Sequence, residues 1–354
     1  MILTVIGARP QFIKAAVVSE ALKQYNIEEI IIHTGQHYDD EMSKVFWEEL
    51  KIPPISVNLE VGSGSQSFQT AKIMESLDEY ILNMKTKPNA VLVYGDTNST
   101  IAAALVASKV NIPIIHIESG LRSFNRTMPE EINRIVTDHL SSLLFCSSKK
   151  GVDQLNKEGI NENVFNSGDV MFDSVLKFGA IAEKKIKLSE ITDSKTSAYS
   201  ILTMHRPSNT DNQKNLENIL SAVKAINQTI IWPLHPRLKS IIQGYQIPVN
   251  LKIISPLSYL NMMCLLQNCN KVFTDSGGLQ KEAYWLKKPC ITLRGETEWT
   301  ETVESGWNEI CGTDAEKIIK SFYKNVPNIN QWVPLYGTGN SANFIAKKIY
   351  NYLN

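Results

Sequence analysis

Ile2-Leu3-Thr4-Val5-Ile6-Gly7-Ala8-Arg9-Pro10-Gln11-Phe12-Ile13-Lys14 joins an apolar run, a glycine and a proline-opened stretch with apolar residues at helical spacing. The run reads as a buried strand, the glycine permits a tight turn, and proline with its preset φ starts a helix. The same rhythm continues down the chain. Apolar runs ending in Gly, Asp or Ser recur at 29–34, 90–95, 112–117 and 143–147, after the first at 2–7. Between them, residues 10–24, 39–50, 67–84, 98–109 and 129–142 carry apolar side chains three and four apart, as Phe12, Ala15, Ala16 and Leu22 do in the first. Alternation of this kind predicts parallel strands joined by crossover helices.

The pattern restarts after a polar stretch at 183–197, with strands expected at 199–204, 229–234, 251–255, 271–274 and 290–293. Helices are expected there at 213–226, 258–268, 278–287 and 314–324. A chain of 354 residues exceeds what one core usually organises. The fold class is therefore α/β, with two doubly wound Rossmann-like domains facing a cleft, divided at about 1–170 and 171–338. The last segment, 341–353, is an amphipathic helix with Phe344, Ile345, Ile349 and Leu353 along one face. Pattern alone leaves it on its own domain or crossing back to the first.

Thirty-six basic residues balance thirty-six acidic ones, so no global field favours nucleic acid or an anionic membrane. The opening residues lack a basic leader, and no uncharged run approaches the ~20 residues of a membrane span. A soluble, cytoplasmic protein with a small-molecule partner is expected. The five cysteines, Cys146, Cys264, Cys269, Cys290 and Cys311, mostly sit in apolar runs without a CxxC pair. They read as buried thiols, and no metal site is expected.

In open α/β sheets, ligands bind beyond the carboxyl ends of the strands. The first such end carries Arg9 and Lys14 at a helix mouth, which suits a phosphate or carboxylate. It is neither GxGxxG nor a Walker A loop, which argues against a dinucleotide cofactor and against ATP. Tyr94-Gly95-Asp96-Thr97-Asn98-Ser99-Thr100 and His116-Ile117-Glu118-Ser119-Gly120-Leu121-Arg122 each place one carboxylate at a strand end. Met128-Pro129-Glu130-Glu131-Ile132-Asn133-Arg134 adds acids in the first turn of a helix, where dipole complementarity alone would also favour them. Unpaired acids gathered at one sheet edge would repel one another and raise some pKa values, as proton transfer requires.

In the second half, His205 and Arg206 follow one strand, and His235 and Arg237 follow the next. Thr274-Asp275-Ser276-Gly277-Gly278-Leu279-Gln280-Lys281-Glu282 then sets a hydroxyl and two glycines at a strand-to-helix turn. Backbone N–H groups of such a turn hold a diphosphate, and Glu282 suits two ribose hydroxyls.

Together these segments resemble the non-hydrolysing UDP-N-acetylglucosamine 2-epimerases, a family whose fold is similar to that of the two-domain GT-B glycosyltransferases and glycogen phosphorylase. The resemblance runs from Gly7 to about Gly339. Its markers are Gly-Ala-Arg-Pro at 7–10 with Lys14, Tyr-Gly-Asp-Thr-Asn-Ser-Thr at 94–100, Glu-Ser-Gly-Leu-Arg at 118–122, Pro-Glu-Glu-Ile-Asn-Arg at 129–134, His-Arg at 205–206 and Asp-Ser-Gly-Gly-Leu-Gln-Lys-Glu at 275–282. It implies catalytic roles for Asp96, Glu118, Glu130 and His205. It also implies UDP contacts from Arg9, Lys14, His235, Ser276, Gly277, Gly278 and Glu282. Arg122, Arg134 and Arg237, the cations inside these motifs, join them as candidate substrate contacts. The family further implies a UDP-sugar substrate, no cofactor, a last helix (339–354) that crosses to the first domain, and homodimers formed through that domain.

Two departures matter. Tyr38 and Gly62-Ser63-Gly64-Ser65 stand where many bacterial members carry arginines that hold a second, activating substrate molecule, so hyperbolic kinetics are expected. The stretch from Arg294 through Glu298-Trp299 to Trp307-Asn308 resembles the branch acting on UDP-2,3-diacetamido-2,3-dideoxy-glucuronate, with Arg122, Arg126 and Lys281 as candidate partners of the sugar carboxylate. The substrate expected is UDP-GlcNAc or that derivative.

The carbon-2 hydrogen of a 2-acetamido sugar is not adjacent to a carbonyl carbon, so a base alone cannot remove it to give a stabilised enolate. Departure of UDP must assist, which predicts anti elimination to a 2-acetamidoglucal and re-addition with the proton on the other face. The alternatives are a hydrolysing epimerase that releases free sugar and UDP, a GT-B glycosyltransferase, and a non-catalytic nucleotide-sugar sensor. A sensor needs no acid cluster, and a glycosyltransferase needs fewer carboxylates at the first sheet edge.

Overall fold

The computed structural model describes residues 1–36, 49–50, 52–192 and 198–354. The chain divides into two compact units, Met1–Ser174 with Tyr336–Asn354, and Val175–Leu335. Each is built on one parallel sheet, so the expected pair of doubly wound α/β folds is present.

The first unit holds seven strands: β1 Ile2–Ile6, β2 Glu29–His33, β3 Val57–Asn58, β4 Ala90–Tyr94, β5 Ile114–Ser119, β6 Leu143–Cys146 and β7 Val164–Asn166. Their spatial order is β3-β2-β1-β4-β5-β6-β7. β1 and β4 are buried at every residue, as strands covered by helices on both faces must be, which is why they read as continuous apolar runs and not as alternation. The crossovers are α1 Arg9–Gln24, α2 Gln66–Leu82, α3 Asn98–Lys109, α4 Pro129–Leu140 and α5 Lys149–Lys157. Leu77 and Ile81 of α2 and Ala103, Ala104 and Ala107 of α3 pack on Leu3, Val5, Val91 and Val93 of the sheet. Each fully buried aliphatic side chain there contributes about 1.5–3 kcal/mol.

α6, Val170–Lys185, begins in the first unit, and α11, Ser341–Leu353, ends it. The terminal helix packs on α1, where Tyr25 and Tyr350 bring their ring centroids to 5.9 Å.

The second unit holds six strands: β8 Tyr199–Thr203, β9 Thr229–Pro233, β10 Leu251–Ile254, β11 Val272–Thr274, β12 Cys290–Thr292 and β13 Asn308–Ile310. They lie in the order β10-β9-β8-β11-β12-β13. α7 Gln213–Ala225, α8 Tyr259–Asn268, α9 Gly277–Trp285 and α10 Ala315–Tyr323 are its longer helices. Trp232, fully buried, anchors a core with Leu216, Ile219, Phe273 and Ile318.

The topology fixes where ligands bind. In each sheet the strand order reverses between the first and fourth strands of the unit, β1 and β4 in one and β8 and β11 in the other. Helices leave in opposite directions at such a switch point and open a crevice at the carboxyl ends.

Three strands escaped the sequence pattern: β3, β7 and β13 have two or three residues each, too few to display a period, and all lie at sheet edges. The polar stretch at 183–197, after which the pattern was expected to restart, contains among its described residues the end of α6 and a one-turn helix, Leu188–Ile191. The helix expected over 39–50 falls almost wholly outside the described residues, as does Tyr38. No helix among the described residues is long and apolar enough to cross a membrane.

Candidate active site

At the switch point of the first unit, α1 starts one residue beyond the Gly7-Ala8 turn. Gly7 is required by crowding, because a Cβ there would overlap Ser99 Oγ and Thr34 Oγ1. Those two hydroxyls bond each other at 2.8 Å, and Ser99 Oγ also donates to Gln36 Oε1 at 2.6 Å. The turn is tied to its neighbour by Gln11, which is almost fully buried. Gln11 Oε1 accepts from Gly7 N (2.8 Å) and Ala8 N (3.0 Å), while its Nε2 donates to Tyr94 O, Thr97 Oγ1 and Thr100 Oγ1 at 2.7–3.1 Å. All the capacity of this amide is spent joining the turns after β1 and β4.

Asp96 follows β4 and Glu118 lies in β5. The two strands pair directly, with Tyr94 opposite Ile117. Glu118 is a bulge residue: the β5–β6 register shifts between Ile117 and Ser119, and Glu118 has φ +72°. A non-glycine residue in that region costs about 1–3 kcal/mol and is found where the surroundings enforce it. The enforced conformation directs the carboxylate toward the β4 turn, so that a Cβ on Gly95 would lie 3.4 Å from Glu118 Oε2.

The acids are not unpaired, contrary to expectation. Glu118 forms an ion pair with Lys14, and both side chains are about nine-tenths buried. Asp96 pairs with Arg134 of α4, whose other terminal nitrogen lies 3.2 Å from Glu131. The reason is dielectric: two carboxylates in a crevice are far less costly when each faces a cation. Lys14 and Arg134, expected as substrate contacts, are thus also the ion-pair partners of Glu118 and Asp96.

Glu130 and Glu131 separate in role. Glu131 is buried and accepts from Ser123 N (2.8 Å), Ser123 Oγ (2.9 Å) and Phe124 N (2.8 Å), which fastens the 119–128 loop to α4. Glu130 is exposed, one residue from the helix start. Arg9 is the first residue of α1 and half-buried.

Arg122 lies elsewhere than expected. Its Nε and Nη2 grip the Glu158 carboxylate at 2.7 and 2.6 Å, and Nη1 donates to Leu121 O (2.6 Å) and Asp138 (2.7 Å). With its side chain 2% exposed, it belongs to a buried ion network and is not available to a substrate.

At the switch point of the second unit, Asp275 follows β11 and His205 follows β8. Asp275 is fully buried and accepts from the backbone N–H groups of His205 (3.2 Å) and Arg206 (3.0 Å) and from Asn209 Nδ2 (3.1 Å). It also faces His205 Nδ1 at 3.2 Å. Burial alone would raise the Asp275 carboxyl; the His205 side chain and the backbone donors outweigh it and hold the group below the ordinary range. Asp275 therefore fixes the Nδ1 edge of an imidazole that is half exposed.

Ser276 caps α9, accepting from Leu279 N at 3.5 Å, and its own N–H is taken by Thr274 Oγ1 at 3.0 Å. Gly277 and Gly278 open the helix, where N–H groups have no intrahelical acceptor. A Cβ on Gly277 would sit 3.4 Å from Trp299 Nε1 and 3.7 Å from Glu298 Oε2. The 294–299 segment therefore lines this turn, and Arg294 holds Glu298 through two bonds of 2.9 and 3.0 Å. Glu282 is buried one turn further along α9. Lys281, expected as a partner for a sugar carboxylate, is 2% exposed, with its ammonium 3.8 Å from the Trp299 ring centroid.

His235 and Arg237 are exposed beyond β9, and Arg237 donates to both oxygens of Asp211 at 2.6 Å. Gln11, His116, Asp138 and Asp275 were not singled out from the sequence for roles. Asp275 had a visible signal, adjacency to the Ser-Gly-Gly turn. The pairing of His116 with Asp138 had none.

A family model for UDP-N-acetylglucosamine 2-epimerase matches residues 20–350. A UDP-N-acetylglucosamine 2-epimerase homolog from Methanococcus maripaludis is 49% identical over 99% of both chains. The UDP-2,3-diacetamido-2,3-dideoxy-D-glucuronate 2-epimerase of Pseudomonas aeruginosa is 44% identical over 98% of both. The crystal structure of Methanocaldococcus jannaschii UDP-GlcNAc 2-epimerase in complex with UDP-GlcNAc and UDP superposes with a TM-score of 0.89 at 40% identity, covering 99% of this chain and 100% of that one. A match of this extent, on two Rossmann-like units with their polar groups at both switch points, places the chain in the UDP-N-acetylglucosamine 2-epimerase family of carbohydrate epimerases.

Proposed function

We propose that this protein reversibly inverts carbon 2 of a UDP-linked 2-acetamido sugar by eliminating UDP and adding it back, without release of free sugar. The observation that carries this reading is the pairing of Asp96 and Glu118 on adjacent strand ends, each held against a cation, with Glu118 kept in a strained backbone conformation. A nucleotide-sugar sensor has no use for two such acids.

In the proposed reaction the carbon 1–oxygen bond breaks with its electron pair leaving on the diphosphate. A carboxylate takes the carbon-2 proton, and a double bond forms between carbons 1 and 2. Re-addition of the diphosphate oxygen to carbon 1, with a proton delivered to the opposite face of carbon 2, gives the epimer. Asp96, Glu118 and Glu130 supply the two proton-transfer groups. Arg9, Lys14, His205 oriented by Asp275, and the Ser276-Gly277-Gly278 turn stabilise the charge gathering on the diphosphate. Glu282 accepts the ribose hydroxyls, and Arg134 and His235 complete the contacts. No electrons are exchanged with a second molecule, so the route needs no redox cofactor, and the cations present suit the diphosphate without a metal.

The substrate is UDP-GlcNAc, giving UDP-ManNAc, or its 2,3-diacetamido glucuronate equivalent; relatives at 49% and 44% identity carry one name each. Either product would serve as a precursor for a surface polysaccharide. Cytoplasmic placement and a homodimer formed through the first unit belong to the same proposal. Incubation with each sugar in deuterated water, followed by NMR, tests it. Deuterium at carbon 2 of both epimers supports the reading; free sugar as the main product, or no turnover of either sugar, overturns it.

A further inference from the structure

His116 lies in β5 with no exposed surface, and both of its ring nitrogens face acceptors. Nε2 is 2.8 Å from the carbonyl oxygen of Gly95, and Nδ1 is 2.7 Å from Asp138 Oδ1. A carbonyl oxygen can only accept, so Nε2 carries hydrogen. Asp138 is itself an acceptor for Gly120 N at 3.1 Å and for Arg122 Nη1 at 2.7 Å. Burial would raise the Asp138 carboxyl, but His116 and Arg122 together keep it below its ordinary value. Both ring nitrogens of His116 are therefore engaged, and Nδ1 meets a carboxylate that Gly120 N and Arg122 also hold in place.

The partners of this ring span the first unit's switch point. Gly95 immediately precedes Asp96, and its N–H is held by Ile117 O at 2.9 Å, so the residue is pinned at both ends. Glu118 lies two residues beyond His116 on the same strand. Asp138 is on α4, the helix that carries Glu130 and the Arg134 that pairs with Asp96. One side chain thus joins the β4 turn, the end of β5 and α4, and each of these elements bears one of the three carboxylates.

We propose that His116, clamped between the Gly95 carbonyl and Asp138, is a positioning residue that sets the spacing of Asp96, Glu118 and Glu130. The charged groups around it are Asp138 from α4, Arg122 from the turn after β5, Glu158 beyond Arg122, and Glu118 on its own strand. The ring does not touch the reacting atoms. It cross-links three elements into one frame, and it polarises the Gly95 carbonyl next to Asp96.

This inference rests on the proton-transfer reading of the three carboxylates, but its first test does not. In the full-length protein labelled with ¹⁵N-histidine, the His116 signal is identified as the one that remains when each of the other five histidines is replaced by glutamine in turn. Its Nε2-bound proton should exchange with water far more slowly than the ring proton of the exposed His139; exchange as fast as at His139 overturns the proposal. Kinetics provide the second test. H116Q keeps one donor toward Gly95 and D138N keeps the shape of the acid, and both remove the contact between ring and carboxylate. Each should lower kcat by roughly 10–100-fold with KM for the UDP-sugar changed less than about 3-fold. H139Q, at an exposed position on α4, should leave kcat unchanged. If both variants fold and turn over within about 2-fold of wild type, the positioning role is wrong; if neither folds, the exchange rate of the Nε2 proton decides. Absence of epimerisation by the wild type, with the Nε2 proton protected, would count against the function and not against the clamp on His116.

Discussion

Oδ1 of Asp275 lies 3.2 Å from Nδ1 of His205, a fully buried carboxylate against an imidazole that is half exposed. The asymmetry is what lets one residue orient the other: the acid is fixed by four donors, and the ring has a single direction to present. His205 follows β8 and Asp275 follows β11, and these strands are neighbours only because the sheet order reverses there.

Replacing Asp275 by asparagine is therefore expected to lower turnover by roughly 10–100-fold, because the imidazole loses its anchor while its chemistry is kept. UDP affinity, measured by calorimetry, should fall by less. The same variant should lose about 1–3 kcal/mol of stability, since an amide cannot accept from all the donors gathered there.

Acid should destabilise the protein through Asp138 and Asp275. Burial opposes ionisation of both, and their histidine, arginine or backbone partners reverse that, leaving each carboxyl below its unfolded value. Their stabilisation is then fully present above the unfolded pKa of about 3.9 and is lost as pH falls through the folded value. Urea midpoints should drop more steeply on acidification for the wild type than for D138N. Parallel curves would contradict this.

Amide replacement of Asp96, Glu118 or Glu130 keeps shape but ends proton transfer, so turnover should fall by roughly 10²–10⁴ wherever the acid is a base or acid in the reaction. A variant lacking only the re-protonating acid should still release 2-acetamidoglucal and UDP on long incubation. Wild-type rates in all three would remove the assigned mechanism.

Glu118 holds a left-handed φ that glycine adopts without strain. The double variant E118G/K14M removes the strained residue and the partly buried ion pair together. It should be inactive yet more stable than wild type by about 1 kcal/mol in thermal or denaturant unfolding. A less stable variant would show that the conformation costs nothing.

Gly7→Ala should behave oppositely, because its Cβ would overlap Ser99 Oγ and Thr34 Oγ1. Overpacking of this kind costs about 1–3 kcal/mol. Turnover should fall as well, since the same turn leads into Arg9 and Lys14. G7A combined with S99A and T34A should recover most of the stability.

Local order was legible in the sequence by itself. Buried parallel strands such as β1 and β4 must be apolar on both faces, and the helices between them must show a period of 3.6, so class, element order and strand ends could be read directly. Strand ends are also where chemistry collects, which is why Asp96, Glu118 and the Ser276-Gly277-Gly278 turn stood out. What only the tertiary structure decided is which groups face one another. Lys14 reads as an anion contact at a helix mouth until β5, over a hundred residues later in the chain, brings Glu118 against it. Arg122 reads as a ligand cation until Asp138 and Glu158 surround it. Glu130 and Glu131 are equivalent in a helix pattern, and only the 119–128 loop folding back makes Glu131 an internal anchor. Periodicity encodes the direction in which a side chain leaves the backbone; the charge it meets there is set by contacts between elements distant in sequence.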